Sequence, residues 1–309
     1  MIINTGQRTD IPAFYSEWFM NRIREGYVRV RNPYNRSQVT EYILNPDVVD
    51  ILCFCTKNPK PMLEYLDELS RFRQYWFVTI TPYGEDVEEN VPPWEEVAEA
   101  VKSLSEVIGE RAVGIRYDPV ILTDRYTVDY HIESFKAITG KLAGYASSVV
   151  ISFVDLYEKT KKNMPEAKRV PMSAQIELSK AFKAIADENN MVIRTCRENE
   201  NLAEFGIDVA GCMTKEVLEE ATGEYLDGTK GGNNILDCNC LLGNDIGEYN
   251  TCAHFCKYCY ANYDKRAVVE NMRRHDPSSP FLIGNSEDDD RIHKAVQKSF
   301  ISGQMRMKI

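Results

Sequence analysis

Three cysteines near the end of the chain have the spacing of a ligand set. Cys252-Ala-His-Phe-Cys256-Lys-Tyr-Cys259 reads C-x3-C-x2-C. Three thiolates from one tight loop can wrap three corners of a [4Fe–4S] cubane, and the fourth iron is then left without a protein ligand. Such an open iron is where chemistry can occur, so Cys252, Cys256 and Cys259 are the candidate catalytic residues as well as metal ligands. Two other uses of the same residues fit the sequence: a Cys3His zinc site that recruits His254, or three structural thiols. His254 is read as a loop or supporting residue rather than a ligand.

The surrounding cysteines bear on that choice. The chain has nine, and its start, MIINTGQRTD, has neither the basic nor the apolar segment of an export signal. No apolar run approaches the roughly 18 residues of a membrane span. The chain is therefore read as cytoplasmic with no membrane partner, and reduced thiols there point to metal or redox chemistry rather than to disulfides. Cys196, Cys212, Cys238 and Cys240 form a second candidate set, for an auxiliary, fully ligated [4Fe–4S] cluster, a zinc site or free thiols. Cys53 and Cys55 alternate with apolar neighbours in Ile51-Leu-Cys-Phe-Cys55, so both should face the same side of a strand as core thiols.

The net charge of −10, with no stretch that gathers Lys and Arg into a stripe, argues against a nucleic-acid partner. Hydrophobic residues at 43% and charged residues at 27% describe an ordinary globular chain with a sizeable core.

These residues need a scaffold, and the first two thirds of the chain supply one. Short β-rich runs at Met1–Thr5, Asp50–Cys55, Tyr75–Ile80, Ala112–Tyr117, Ser148–Val154, Met191–Thr195 and Ile207–Gly211 alternate with helical patterns at Ala13–Glu25, Pro61–Phe72, Pro93–Ile108, Val128–Ala143 and Ser173–Asn189. That alternation predicts an α/β fold, a (β/α) barrel or partial barrel of parallel strands related to the TIM barrel. The barrel core spans 1–212, with a hairpin inserted at about 27–44. Residues 213–309 form a Cys-rich segment that completes the barrel, followed by a tail with a final short helix for which Asp288-Asp289-Asp290 is the solvated start. Active sites of such barrels lie at the C-terminal ends of the strands. Arg8 and Asp10, Lys57, Thr81, Arg116 with Asp118, Asp155 and Arg194 fall there. Lys57 and Arg116 could each neutralise a bound carboxylate or pair with a neighbouring one.

The C-x3-C-x2-C spacing and Tyr258 before the third cysteine resemble the radical S-adenosylmethionine superfamily. The resemblance implies an oxygen-sensitive enzyme that reductively cleaves S-adenosylmethionine to a 5′-deoxyadenosyl radical, fed by a low-potential donor such as a ferredoxin or flavodoxin and acting on a small-molecule or peptide substrate. It places Tyr258 beside the adenine and gives Arg8, Lys57, Arg116 and Asp118 as further cofactor contacts. Superfamily members usually carry the motif after the first strand, so its late position here implies a circular permutation in which Met1–Thr5 lies beside the cluster segment. Gly6 then falls where the superfamily has Gly-Gly-Glu.

The whole chain also resembles an uncharacterised bacterial family. Matching pieces are Arg8-Thr-Asp-Ile-Pro-Ala-Phe-Tyr-Ser16, Thr56-Lys-Asn-Pro59, Arg116-Tyr-Asp-Pro119 and Tyr249-Asn-Thr-Cys252. Members commonly have Trp where this chain has Cys55. Two other functions compete with radical chemistry: an iron–sulfur redox protein or reductase that leaves S-adenosylmethionine intact, and a zinc-stabilised binding barrel.

Overall fold

The computed structural model describes residues 1–196, 198, 200–227, 239–241 and 243–302. Ten strands follow one another among the described residues: β1 (Ile2–Asn4), β2 (Tyr27–Asn32), β3 (Asn35–Ile43), β4 (Ile51–Thr56), β5 (Gln74–Thr79), β6 (Val113–Val120), β7 (Ser148–Phe153), β8 (Val192–Thr195), β9 (Asn244–Asp245) and β10 (Arg291–Lys294). Seven of them form one sheet in the order β8-β7-β6-β5-β4-β1-β9, every pairing parallel. The fold is α/β, a partial barrel of parallel strands with a Cys-rich C-terminal segment. Among the described residues β8 and β9 are not paired, and the ring is open there.

Because side chains alternate across a strand, each strand divides its residues between two cores. Ile3, Leu52, Phe54, Trp76, Val78, Ile115 and Val149 pack outward on helices Ser16–Glu25, Trp94–Ile108, Val128–Lys141 and Met172–Glu188. Ile2, Ile51, Cys53, Tyr75, Phe77 and Val150 face the interior, where Val217 and Leu218 of helix Lys215–Thr222 cover them. Both faces being buried, the strands read in sequence as near-continuous apolar runs.

Every second residue toward the strand ends turns the interior polar. Ile2 is followed by Asn4 and Gly6, Tyr75 and Phe77 by Thr79, Gly114 by Arg116 and Asp118, and Arg194 by Cys196. The apolar floor and polar mouth of the barrel thus follow from one alternation. The strand that leads into the cysteine motif, β9, pairs with β1, the adjacency expected of a motif displaced to the end of the chain.

Several expectations are corrected. Ile207–Gly211 is not a strand: Asp208 makes one parallel bridge to Arg194, and the chain then leaves through Gly211, at φ 132°, to deliver Cys212. The first expected helix is broken at Tyr15 into Ile11–Phe14 and Ser16–Glu25, and the second is a 3-10 turn, Lys60–Tyr65, followed by Leu66–Leu69. The Asp288–Asp290 run starts no helix. It leads into β10, which extends the hairpin of β2 and β3 to three strands. Asp290 is not solvated but buried on the Arg31 guanidinium, which also lies 4.4 Å over the Phe281 ring. A buried guanidinium demands a paired carboxylate, and that demand overrides the solubility of an Asp run.

Candidate metal centre

The loop that carries Cys252, Cys256 and Cys259 leaves β9 over the ends of β1, β4 and β5. Its backbone carbonyls are held one after another, mostly by partners from distant parts of the chain. Tyr15 Oη donates to the Thr251 carbonyl at 2.6 Å, Asn262 Nδ2 to Cys252 at 2.7 Å and Asn90 Nδ2 to Ala253 at 2.8 Å. The Asn90 amide reaches His254 at 3.1 Å, Asn163 Nδ2 reaches Lys257 at 3.1 Å and Lys159 Nζ reaches Cys259 at 3.0 Å. Phe255 sits in the left-handed region at φ 52°, unusual for a bulky residue, and this bend turns the loop so that Cys256 can follow Cys252 around a common centre. The three thiols lie within one another's electrostatic reach, and burial pushes those of Cys252 and Cys256 well above the ordinary thiol range.

Both ring nitrogens of His254 already face oxygen acceptors, Nδ1 the Asn90 carbonyl at 3.2 Å and Nε2 the Asp10 carboxylate at 2.9 Å, so His254 is a support and not a fourth ligand. Among the described residues, Glu287, Asp289 and Asp290 are the only group of three or more His, Cys, Asp or Glu whose ligand atoms all fall within 4.8 Å of one another. The triad sulfurs therefore do not close to the edges of about 3.8 Å that a zinc tetrahedron imposes. Three thiols on one loop that are not drawn to such edges are compatible with three corners of a cubane.

Beneath the loop lies a buried polar network. Asp10 caps helix Ile11–Phe14 through Ala13 N, and accepts from Thr56 Oγ1 at 2.6 Å and Lys57 N at 2.8 Å in addition to His254. Lys57 Nζ bonds Glu88 at 2.9 Å and Thr81 at 3.2 Å, and the Tyr258 hydroxyl donates to the same Glu88. Burial works against the Lys57 charge, but Glu88 and Cys256 more than offset it and hold its pKa above the usual lysine value. Arg8 bonds Asp245 through its side chain and its carbonyl.

Across the mouth, Arg116 is paired with Asp118, which also accepts from Ser152. Burial would raise the Asp118 pKa, yet Arg116, Ser152 and Lys57 together keep it below the usual carboxylate value. Arg116 Nη1 also lies 3.4 Å from Cys212 Sγ, beside Cys196 and Cys240. Cys238, the fourth member of that expected set, lies outside the described residues. Cys53 and Cys55 share the interior face as their alternation required. Burial pushes the Cys55 thiol up to about 12, and it feels charges from both sides of the mouth: Arg116, Asp245, Asp10 and Cys196.

The expected site residues thus converge on one mouth, but Arg8, Lys57 and Arg116 each already carry a carboxylate partner. Sequence reasoning missed Glu88, Asn90, Tyr15, Lys159 and Asp245. It also missed Glu198, whose carboxyl, half-buried and accepting from Phe153 N at 2.7 Å, is raised by burial to about 7. Tyr15 alone had a signal, since it belongs to the Arg8–Ser16 stretch.

Fold and site define a parallel α/β partial barrel with thiol groups gathered at the C-terminal ends of its strands. The chain belongs to the family described as Domain of unknown function (DUF1848), which residues 2–261 match. That match runs from β1 through the triad, so barrel and cysteine loop form one family unit. Among curated proteins none matches the chain. No helix among the described residues is long and apolar enough to cross a membrane.

Proposed function

We propose that this protein is a radical S-adenosylmethionine enzyme whose catalytic [4Fe–4S] cluster is held by Cys252, Cys256 and Cys259. The observation that supports this reading is the triad loop itself: three thiols on one tight loop whose sulfurs do not all fall within 4.8 Å of one another, with the His254 imidazole engaged at both nitrogens. When bound, such a cluster supplies a low-potential electron to S-adenosylmethionine at its open iron, and a 5′-deoxyadenosyl radical results.

The chain's own residues bind and orient. Lys57 is a largely shielded cation in charge contact with Cys256, and a methionine carboxylate entering the mouth competes with Glu88 for it. Tyr258, fixed through its hydroxyl to Glu88, holds an aromatic face at the same place. Arg116 and Asp118 offer a cation and a carboxylate to polar groups of the cofactor or substrate opposite the triad, while Arg8 acts through Asp245 to position the loop entry. The polar mouth suits a small molecule or a peptide segment, and the reaction requires a low-potential carrier such as a ferredoxin or flavodoxin in the cytoplasm.

The test is anaerobic reconstitution followed by dithionite and S-adenosylmethionine. Release of 5′-deoxyadenosine, abolished by Cys259→Ala, is the expected result, with a reduced-cluster EPR signal that changes on adding the cofactor. A reconstituted cluster that never cleaves S-adenosylmethionine overturns the radical assignment and leaves an iron–sulfur redox protein. Zinc at the triad without inorganic sulfide overturns both.

A further inference from the structure

We propose that Cys196, Cys212 and Cys240 hold a second thiolate-bound metal centre, separate from the triad. Cys212 Sγ lies 3.9 Å from Cys196 Sγ and 3.7 Å from Cys240 Sγ. Two sulfurs that each bind one metal at about 2.3 Å in a tetrahedron are about 3.8 Å apart, so each pair has the spacing of sulfurs that share an ion. The three sulfurs do not all fall within 4.8 Å of one another. Cys212 is therefore the common member, and Cys196 and Cys240 close on it when the metal enters.

Three further observations favour metal over idle thiols. First, the backbone is built to bring these residues together from 44 positions of sequence: Cys196 leaves the end of β8, and segments 210–213 and 239–241 are tied by Asn239 N to Ala210 O at 3.3 Å and Leu241 N to Met213 O at 2.8 Å. Second, the Met213 amide donates to Cys240 Sγ at 3.2 Å. The triad has the same device, Ala261 N to Cys259 Sγ at 3.3 Å, and such N–H···S bonds stabilise and tune a ligating sulfur. Third, the Arg116 guanidinium touches Cys212 Sγ, which offsets the negative charge that several thiolates around a metal accumulate.

Soft sulfur donors of this kind select zinc, iron or an iron–sulfur cluster and exclude magnesium and calcium. Arg116 bonds both Cys212 of this group and Asp118, and Asp118 also feels the Lys57 charge. The second centre shares the mouth with the proposed radical site but does not depend on what the triad binds.

The experiment uses full-length protein in which Cys252, Cys256 and Cys259 are all changed to Ala, prepared anaerobically with iron, sulfide and zinc offered in turn. This variant should keep at least about one equivalent of tightly bound metal. Further change of Cys212→Ala should remove it, and Cys212→Ser should weaken it, while circular dichroism shows both variants folded. Zinc without sulfide identifies a single ion, and iron with sulfide a second cluster. Conversely, Cys212→Ala alone should leave the triad's metal in place. A triad-free protein that binds no metal, and whose Cys196, Cys212 and Cys240 alkylate freely, overturns the proposal, as does a disulfide between Cys212 and either neighbour in anaerobically prepared protein. Since these measurements are made without the triad, their failure leaves the radical reading untouched, and failure of that reading leaves them valid.

Discussion

His254 Nε2 meets Asp10 Oδ2 at 2.9 Å, across 244 positions of sequence. The imidazole lies inside the cysteine loop and the carboxylate at the exit of the first strand, so this contact fastens the two ends of the family match to each other. Phe14 packs edge-on against the same imidazole, ring centroids 4.6 Å apart. The Arg8–Ser16 stretch is thus a clasp for the triad: Arg8 on Asp245, Asp10 and Phe14 on His254, Tyr15 on the Thr251 carbonyl.

Asp10 is accordingly the residue whose loss should cost most. Asp10→Ala leaves four donors without their acceptor, and orphaned buried groups of this kind cost roughly 3 kcal/mol or more in total. The expected outcome is a lower urea midpoint together with poor iron retention at the triad. Iron retention equal to wild type would show that the clasp does not position the loop.

Tyr15→Phe and Asn90→Ala each remove one side-chain donor from a loop carbonyl. Each should cost about 1 kcal/mol in stability and speed loss of triad iron to a chelator several-fold under anaerobic conditions. The chelation rate is the sharper measurement, because it reports on the loop and not on the whole fold.

Gly6 approaches the Cys55 carbonyl so closely that an added Cβ would stand 2.2 Å from its oxygen. Gly6→Ala must therefore push β1 away from β4, with a loss of roughly 2–3 kcal/mol. Thermal unfolding measures it, and an unchanged melting temperature would contradict the described packing.

His131 carries a pH dependence unrelated to metal. Fully buried, bonded to the Tyr117 hydroxyl and the Ile121 carbonyl, it has its pKa lowered by burial from 6.5 to about 4. The unfolded chain then binds the proton more readily than the folded one, so the stabilisation is complete above pH 6.5 and is lost as the pH falls from there toward 4. Its size is about 3 kcal/mol. Urea midpoints at pH 7.5 and 4.5 should therefore diverge more in the wild type than in His131→Gln.

Much of the barrel was legible because its strands are buried on both faces and its helices begin and end at Pro, Thr and Gly. Six of the seven expected strands are present. The seventh strand of the sheet, β9, is two polar residues, Asn244 and Asp245, which carry no β signal and pair only because β1 offers them an edge. At the candidate site the three cysteines stand out in the sequence by their spacing. Their supports do not, since Asn90 and Lys159 act on carbonyls, which have no side-chain signature, and Glu88 meets Tyr258 across 170 positions.

The placement of β9 beside β1 sets an order of assembly in the cell. The first strand leaves the ribosome about 240 residues before its second neighbour, a wait of roughly ten to fifty seconds at ordinary elongation rates. For almost all of that interval Asp10 and Tyr15, joined later by Asn90, have been made but have no loop to hold. The proposed loading of the triad therefore has to await residues 244–263 and follows the closure of β9 on β1.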